Sequence, residues 1–544
     1  MPITAAPEAV HELPIAERIE QAINSRPNVV MGVVAVFFLI NAYILASVRL
    51  FWFDEFITIY IARQGSIRAI WHLLANGADP NPPLSHLLVL GSMRLLGSSE
   101  AAIRTPFVLA SLIGILCLFE FIRRHVGPLY AAAGVFFYVT THAFDYAFEA
   151  RSYSLLLCFS MLSLMAWRWT IESPHRKLAL ALMTLSLMLG ISSNYYGVLA
   201  FFPIAAGEAL YSFEGTPRRI RLQVWLALAL ASVSLLFYLP LINVSIKRFA
   251  PYAWNRPTSI DFLPDTYTFI LEAIFWLAVI CVVGAALVYV YERTQLGIRR
   301  PRVLPNHEFA AIAVLLAYPV LGYLIAVLRA GMISSRFVIP FVYGVAIAVA
   351  VSGYQLFRRN PVTSLLFLAC CVSWCIFRVA ENVADYNDQR GVLLRLTRVL
   401  PRSGTLVVPD SLLVLPLHYY APPEAAARMV MPLDIQDVRK YKREDSAEQN
   451  FAAAAAIYPV PQIALETVLR NNPQFYIVAP PENWLLRVME DYKNPAEELP
   501  NQKNYHALRG FFSLSFGDAR VFREHFDSDQ YAGLPAQTNN IEKP

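Results

Sequence analysis

The 544-residue chain is 56% hydrophobic and 16% charged, with a mean hydropathy of +0.45 and a formal net charge of +5. An ordinary soluble domain carries about a quarter charged residues, so this deficit excludes a wholly water-soluble protein. The small positive surplus forms no basic cluster interleaved with aromatics, which leaves no footing for nucleic acid.

Residues 1–28 hold Glu8, Glu12, Glu17 and Glu20 ahead of an apolar run. A secretory leader starts basic and ends in a small-residue cleavage site. The segment therefore reads as a cytoplasmic tail, with Val29 opening a retained first span. Apolar runs beginning near Val29, Pro106, Leu129, Ser152, Leu178, Gly197, Leu222, Tyr267, Phe309, Phe337 and Val362 predict about eleven membrane helices. Basic residues recur at alternate loops: Arg123, Arg124 and His125; Arg176 and Lys177; Arg218, Arg219 and Arg221; Arg293, Arg299, Arg300 and Arg302; Arg358 and Arg359. All five clusters can face the cytoplasm together, which puts the N-terminus inside and everything past Asn382 outside.

Parity also decides how Pro82 to Gly97 is read. It carries His86 and Arg94, and counting it as a span would reverse every later loop. It is expected to be a helix lying in the outer interface, part of an external segment over residues 49–105 within a transmembrane module of residues 29–381. The six cysteines, Cys117, Cys158, Cys281, Cys370, Cys371 and Cys375, all fall in apolar runs without zinc-site spacing, and read as small hydrophobes.

Residues 382–544 change texture to a water-soluble α/β pattern. Thr405–Asp410, Arg428–Asp434 and Gln474–Pro481 are strand-like, and Gln389–Leu400, Gln462–Asn471 and Trp484–Tyr492 helical. A hairpin is expected over Phe512–Glu524 with Gly517-Asp518 as its turn. Strand–helix alternation implies a small open sheet. The stretch contains no glycine-rich phosphate loop.

Candidate chemistry concentrates at the outer ends of spans. Asp54 and Glu55 leave the first span flanked by Phe51, Trp52, Phe53 and Phe56. Partial desolvation there would raise a carboxylate's pKa and make it a better base; a hydrated loop start is the plainer alternative. Glu149, Arg151 and Tyr153 open the fourth span on that same side, where ionisable groups either serve a site or reach for water. In Asn81–Leu88, the pair Pro82-Pro83 fixes entry into the interfacial helix; His86 could contact a substrate, or pack. Arg336 opens the tenth span, where its fork suits a phosphate or a lipid headgroup. Asn194, Tyr195 and Tyr196 meet the outer face as belt or substrate-binding residues. Lys247, Arg248 and Arg256, basic on the outer side, are candidates for an anionic ligand.

The order of these pieces carries a resemblance: a span, then FDE, a polar loop, NPPL, LLGSSEAAIRTP, RRHVG and FEARSY over about residues 29–200, with RF-x-x-P at Arg336. It resembles the polyprenyl-phosphate-dependent glycosyltransferases of the GT-C fold. It is similar to bacterial relatives of protein O-mannosyltransferases and of the lipid A aminoarabinose transferase. The resemblance implies an α-helical polytopic membrane enzyme that takes a sugar from a polyprenyl-phosphate donor. The sugar would pass, with inversion, to a lipid, glycan or protein acceptor at the outer face, in bacteria that of the inner membrane. By the same analogy Asp54 is the catalytic carboxylate, with Glu55 beside it, and Glu149 the second acidic position. Arg151 and Arg336 would hold the donor phosphate, with Tyr153, His86 and Tyr195 lining the site. A divalent cation could bridge carboxylate and phosphate; family members differ on this, and no metal ligands are assigned. Two departures, Glu149 for aspartate and Phe337 for tyrosine, leave the acceptor class open. The rival from another class is a transporter or flippase, which would place ionisable or helix-breaking residues at mid-depth of repeated halves; no repeat is visible.

Overall fold

The computed structural model describes residues 14–214, 220–253, 259–298, 302–472, 474–492, 496–499 and 519–525. Helix α1 (Ile15–Asn24) precedes α2 (Pro27–Val48), and three short helices follow: α3 (Phe53–Ala62), α4 (Ile67–Ala75) and α5 (Leu84–Leu96). The apolar series continues as α6 (Glu100–Val126), α7 (Pro128–Val139), α8 (Ser152–Glu172), α9 (Arg176–Ser193), α10 (Phe201–Glu214) and α11 (Leu222–Phe249). It ends with α12 (Phe262–Leu271), α13 (Ile274–Gln295), α14 (Asn306–Leu316), α15 (Tyr318–Ile325), α16 (Phe341–Phe357) and α17 (Pro361–Val399).

Among the described residues, eight of these stretches are long and apolar enough to cross a bilayer, and α14 with α15, bent by 53°, passes as a ninth. The shorter apolar helices α7 and α16, of 12 and 17 residues, stand at the two remaining expected positions. The chain is an α-helical polytopic membrane protein. The reason shows on α2, where Val29, Val33, Val36 and Ile40 recur every three or four residues and are all exposed. On α11 Leu222, Leu226, Leu230, Val233 and Phe237 do the same. A soluble protein does not leave such stripes bare; a hydrocarbon phase covers them. Helix α7 is the opposite case, with all twelve of its residues buried.

One expectation shifts in detail, and one is met. The eighth span begins at Ile274 rather than near Tyr267, which lies in α12; the helices part at Glu272, whose φ of 47° cannot continue a right-handed helix. Helix α5 has 13 residues, about 20 Å of rise, short of the ~30 Å that a crossing needs. Of the cysteines, Cys370 is exposed on α17 and the other five are buried; all are free thiols.

The chain divides into two compact units: residues 1–46, 101–239 and 257–381, and residues 47–100, 240–256 and 382–544. In the first unit, close approach is bought with glycine. Gly197 sits where an added Cβ would lie 2.5 Å from the backbone of Gly190, so no larger residue fits between these segments. Gly127, at φ 88°, turns the chain from α6 into α7, with Pro128 fixing the first helical residue.

The second unit holds a six-stranded sheet of order β3-β2-β1-β4-β6-β5. Its strands are β1 (Thr405–Val407), β2 (Met429–Pro432), β3 (Gln462–Ile463), β4 (Gln474–Ala479), β5 (Glu497–Glu498) and β6 (Arg520–His525). The first four run parallel, and β6 pairs antiparallel with β4, Ile477 opposite Phe522. Crossovers carry α18 (Ser411–Tyr420), α19 (Pro423–Ala426), α20 (Ile435–Lys442), α21 (Ser446–Ala453), α22 (Leu465–Asn471) and α23 (Trp484–Asp491). Asp410, Asp434 and Asn483 cap the helices α18, α20 and α23. A core of Val407, Phe475, Ile477, Leu485 and Met489 lies under the sheet.

Here too the boundaries move. Gln462 and Ile463 form a strand rather than a helix start, because they complete the parallel ladder beside β2. Gln389–Leu400 is the end of α17, which runs unbroken through residue 382. Of the expected hairpin, residues 512–518 with Gly517-Asp518 lie outside the described residues, as do Arg218, Arg219, Arg256, Arg299 and Arg300.

Candidate active site

Asp54, Glu55 and His86 belong to the second unit; Glu149, Arg151, Tyr153, Tyr195 and Arg336 belong to the first. In the second unit, the chain leaving α2 is pinned before α3 begins. The Phe51 amide donates to Tyr420 Oη at 2.9 Å, and that hydroxyl donates to Glu100 Oε1 at 3.2 Å. Phe51 packs edge-on against Phe56 and Tyr419, Phe56 meets Tyr419 at a tilt, and Phe53 stacks on Phe451 at 5.8 Å. With those rings fixed, the two carboxylates of the first turn of α3 diverge. Glu55 is wholly buried, and its Oε2 accepts the Trp52 amide at 3.4 Å, closing the start of the helix. Asp54 remains partly exposed. The geometry gives one Glu55 oxygen to the helix cap, while Asp54 keeps part of its surface open. Both acids also sit at the positive end of the helix dipole.

His86 is fully buried near the start of α5, with Nε2 3.3 Å from Asp79 Oδ2 and Nδ1 3.5 Å from Ser85 Oγ. Asp79 Oδ1 accepts from the Asn81 amide at 2.9 Å and from Asn81 Nδ2 at 2.7 Å, which closes the turn ahead of Pro82-Pro83. His86 therefore orders the entry to α5. Arg248, one of the outer basic residues, donates to the carbonyls of Asn76 and Gln449 at 3.1 and 3.2 Å and is committed to the chain itself.

In the first unit an aromatic rim forms. The Arg336 guanidinium stands 5.2 Å from the Tyr153 ring centroid. Phe337 stacks on Tyr153 at 6.3 Å and on Tyr196 at 5.2 Å, and Tyr146 meets Tyr153 edge-on at 4.9 Å. Tyr196 Oη donates to the Met332 carbonyl at 2.5 Å, and Asn194 Nδ2 to Ser152 Oγ at 3.2 Å. Tyr195 packs on Tyr238 with ring centroids 6.3 Å apart. Glu149, Arg151 and Tyr153 are buried, and the Arg151 amide donates to the Glu149 carbonyl at 2.8 Å. Burial drives the Tyr146 phenol well above its ordinary range, against the pull of Arg336 and helped by Glu149 and Tyr153. A neutral tyrosine thus stands among both charges.

Sequence reasoning missed Asp79, Tyr146, Tyr419 and Tyr420. Asp79, two residues before Asn81, carries an Asx-turn signal that could have found it; the tyrosines give none. Among the described residues no three His, Cys, Asp or Glu side chains gather as metal ligands.

Residues 80–243 match the family model described as dolichyl-phosphate-mannose-protein mannosyltransferase. That stretch contains His86, Glu149, Arg151, Tyr153 and Tyr195. No curated protein matches the chain in sequence. Among solved structures the chain is similar to ArnT from Cupriavidus metallidurans bound to undecaprenyl phosphate. Identity is 14% and TM-score 0.53, over 90% of this chain and 97% of that one. The Archaeoglobus fulgidus oligosaccharyltransferase in complex with Zn and sulfate aligns at 10% identity and TM-score 0.45, over 82% of this chain and 68% of that one. The chain has the fold of that ArnT structure, the GT-C fold of polytopic membrane proteins. Residues 80–243 carry the similarity to that mannosyltransferase model.

Proposed function

We propose that this enzyme moves a sugar from a polyprenyl-phosphate donor, with inversion, to a hydroxyl or amine of a lipid, glycan or protein acceptor at the outer face of the membrane. The observation that carries the reading is the guanidinium of Arg336 seated on the Tyr153 ring, which meets Tyr146 edge-on and follows Arg151 by two residues in the chain. A phosphate leaving group needs fixed positive charge where its negative charge develops, and packing on an aromatic ring holds a guanidinium in place. The description of the family model and the undecaprenyl phosphate of the similar structure support the same donor class.

In this reading Asp54 takes the proton of the acceptor as its oxygen or nitrogen attacks the anomeric carbon. The bond from that carbon to the phosphate oxygen breaks, and polyprenyl phosphate leaves against Arg151 and Arg336. Glu149, buried next to Arg151, holds that arginine's charge and orientation. Glu55 and His86 keep the backbone around Asp54 in register. The C-terminal unit, outside the membrane in this orientation, helps position the acceptor, and the host membrane is the bacterial inner membrane.

The test is sugar transfer by the purified protein in detergent, from a panel of radiolabelled polyprenyl-phosphate sugars into membrane extract. Wild type should consume one donor and Asp54→Asn should not. No donor consumed across the panel would sink the reading and move weight to transport.

A further inference from the structure

The rim is delivered by a stretch of irregular backbone. Helix α7 ends at Val139, Thr140 and Thr141 turn their hydroxyls back onto the Phe137 and Tyr138 carbonyls, and Phe144–Phe148 form a tight 3-10 turn before Glu149. Backbone of this kind has no repeating ladder of its own to keep it in place. What fixes its start is a knot of charge that the chemistry above does not use.

His142 lies at that start. Its amide donates to the Ile270 carbonyl at 2.9 Å, Nδ1 meets Asp145 Oδ2 at 2.9 Å, and Nε2 pairs with Glu272 Oε1. Arg378, reaching in from α17, pairs with Glu272 at 3.1 Å, Asp145 at 3.7 Å and Glu381 at 3.2 Å, with the imidazole 3.3 Å away. Three carboxylates therefore face one guanidinium and one imidazole, so the balance of charge favours the imidazolium. Burial lowers the His142 pKa, but the bonds and charges of Asp145 and Glu272 outweigh it, and the net shift is upward.

Glu272 gives the knot its second mark. Its φ of 47° makes it one of two non-glycine residues at positive φ among the described residues, in the break between α12 and α13. A glutamate pays a strain for that backbone which glycine would not, and such a strain persists only where the surroundings hold it. Here the hold is the pair of contacts from its carboxylate to His142 and Arg378.

We propose that His142, Glu272 and Arg378 are positioning residues of the transferase: together they clamp the Thr140–Glu149 turn so that Glu149, Arg151 and Tyr153 present the donor phosphate site. The proposal rests on the donor reading above. None of the three touches substrate in it; they act through the turn.

Glu272→Gly separates strain from function, because glycine relieves the backbone while removing the carboxylate. The protein should stay folded, yet hydrogen–deuterium exchange over residues 140–151 should speed up. The donor KM for the active polyprenyl-phosphate sugar should rise about tenfold with kcat nearly kept, as misplaced binding groups do. Arg378→Gln should do the same and Arg378→Lys largely restore it. In wild type the donor KM should climb as pH rises past the point where His142 loses its proton, a limb that His142→Gln lacks. Unchanged exchange and donor KM in Glu272→Gly and Arg378→Gln, in a wild type that turns over donor, overturn this inference alone. A wild type that consumes no lipid-linked donor overturns the functional reading and this inference with it.

Discussion

The acids of α3 and those around Glu149 are built in different ways. Asp54 and Glu55 ride on the first turn of a regular helix, fixed from outside by Tyr420, Tyr419 and Phe451. Glu149 and Arg151 ride on extended backbone between a 3-10 turn and α8, with Tyr153 in the first turn of that helix, fixed by stacked rings and by a charge knot at the turn's start. A helix turn needs only its cap and its neighbours' rings to place a carboxylate. Irregular backbone has to be held residue by residue. The first construction should therefore fail at single side chains that do chemistry, the second at residues that do none.

The largest effect expected is that of Asp54→Asn, a loss of about 10³-fold in turnover, in the range a general base contributes, with thermal stability unchanged. Glu55→Gln is the matched control. It keeps an oxygen for the Trp52 amide, so turnover should stay within a few-fold of wild type; equal losses in the two variants would undo the division of labour between these neighbours. Next comes Arg336→Gln. A hydrogen bond to a charged partner is worth about 1.5–3 kcal/mol, so donor affinity should fall about 10- to 100-fold, read as polyprenyl phosphate binding to the purified protein. An unaltered affinity would remove the phosphate from the rim.

Gly197→Ala should cost about 1–3 kcal/mol by overpacking against the Gly190 backbone and lower Tm, with activity falling because Tyr195 and Tyr196 move together. An unchanged Tm would mean that the two segments part without penalty. The smallest effect concerns pH. The folded-state pKa of His142 is raised, so its share of stability is fully present below its ordinary value of 6.5 and is lost as pH rises through the folded value. Tm should decline over that window in wild type and less in His142→Gln; a parallel decline would assign the titration elsewhere.

Much of this was legible in the chain because hydrocarbon imposes a simple demand. Runs of apolar residues long enough to cross it, and basic residues at alternate loops, sufficed to place the spans, and the order FDE, NPPL, FEARSY sufficed to name the residues worth testing. Strands Thr405–Val407 and Gln474–Ala479 were likewise visible as short β-rich runs. Less was legible wherever a residue's job depends on a partner far along the chain. Nothing in DE distinguishes an acid that caps a helix from one left partly exposed; the rings of Tyr419 and Phe451, some 370 to 400 residues away, do that. Gln462 and Ile463 look helical until β2 offers them a ladder. Nothing in the sequence links Arg378 to Glu272; only the fold sets both on His142. The sequence by itself determined which segments cross the membrane and which residue types stand at their ends, because both follow from local transfer free energies. Only the tertiary structure decided which of those charges stay near water and which are consumed by one another, because a buried charge is tolerated only where folding brings it a partner.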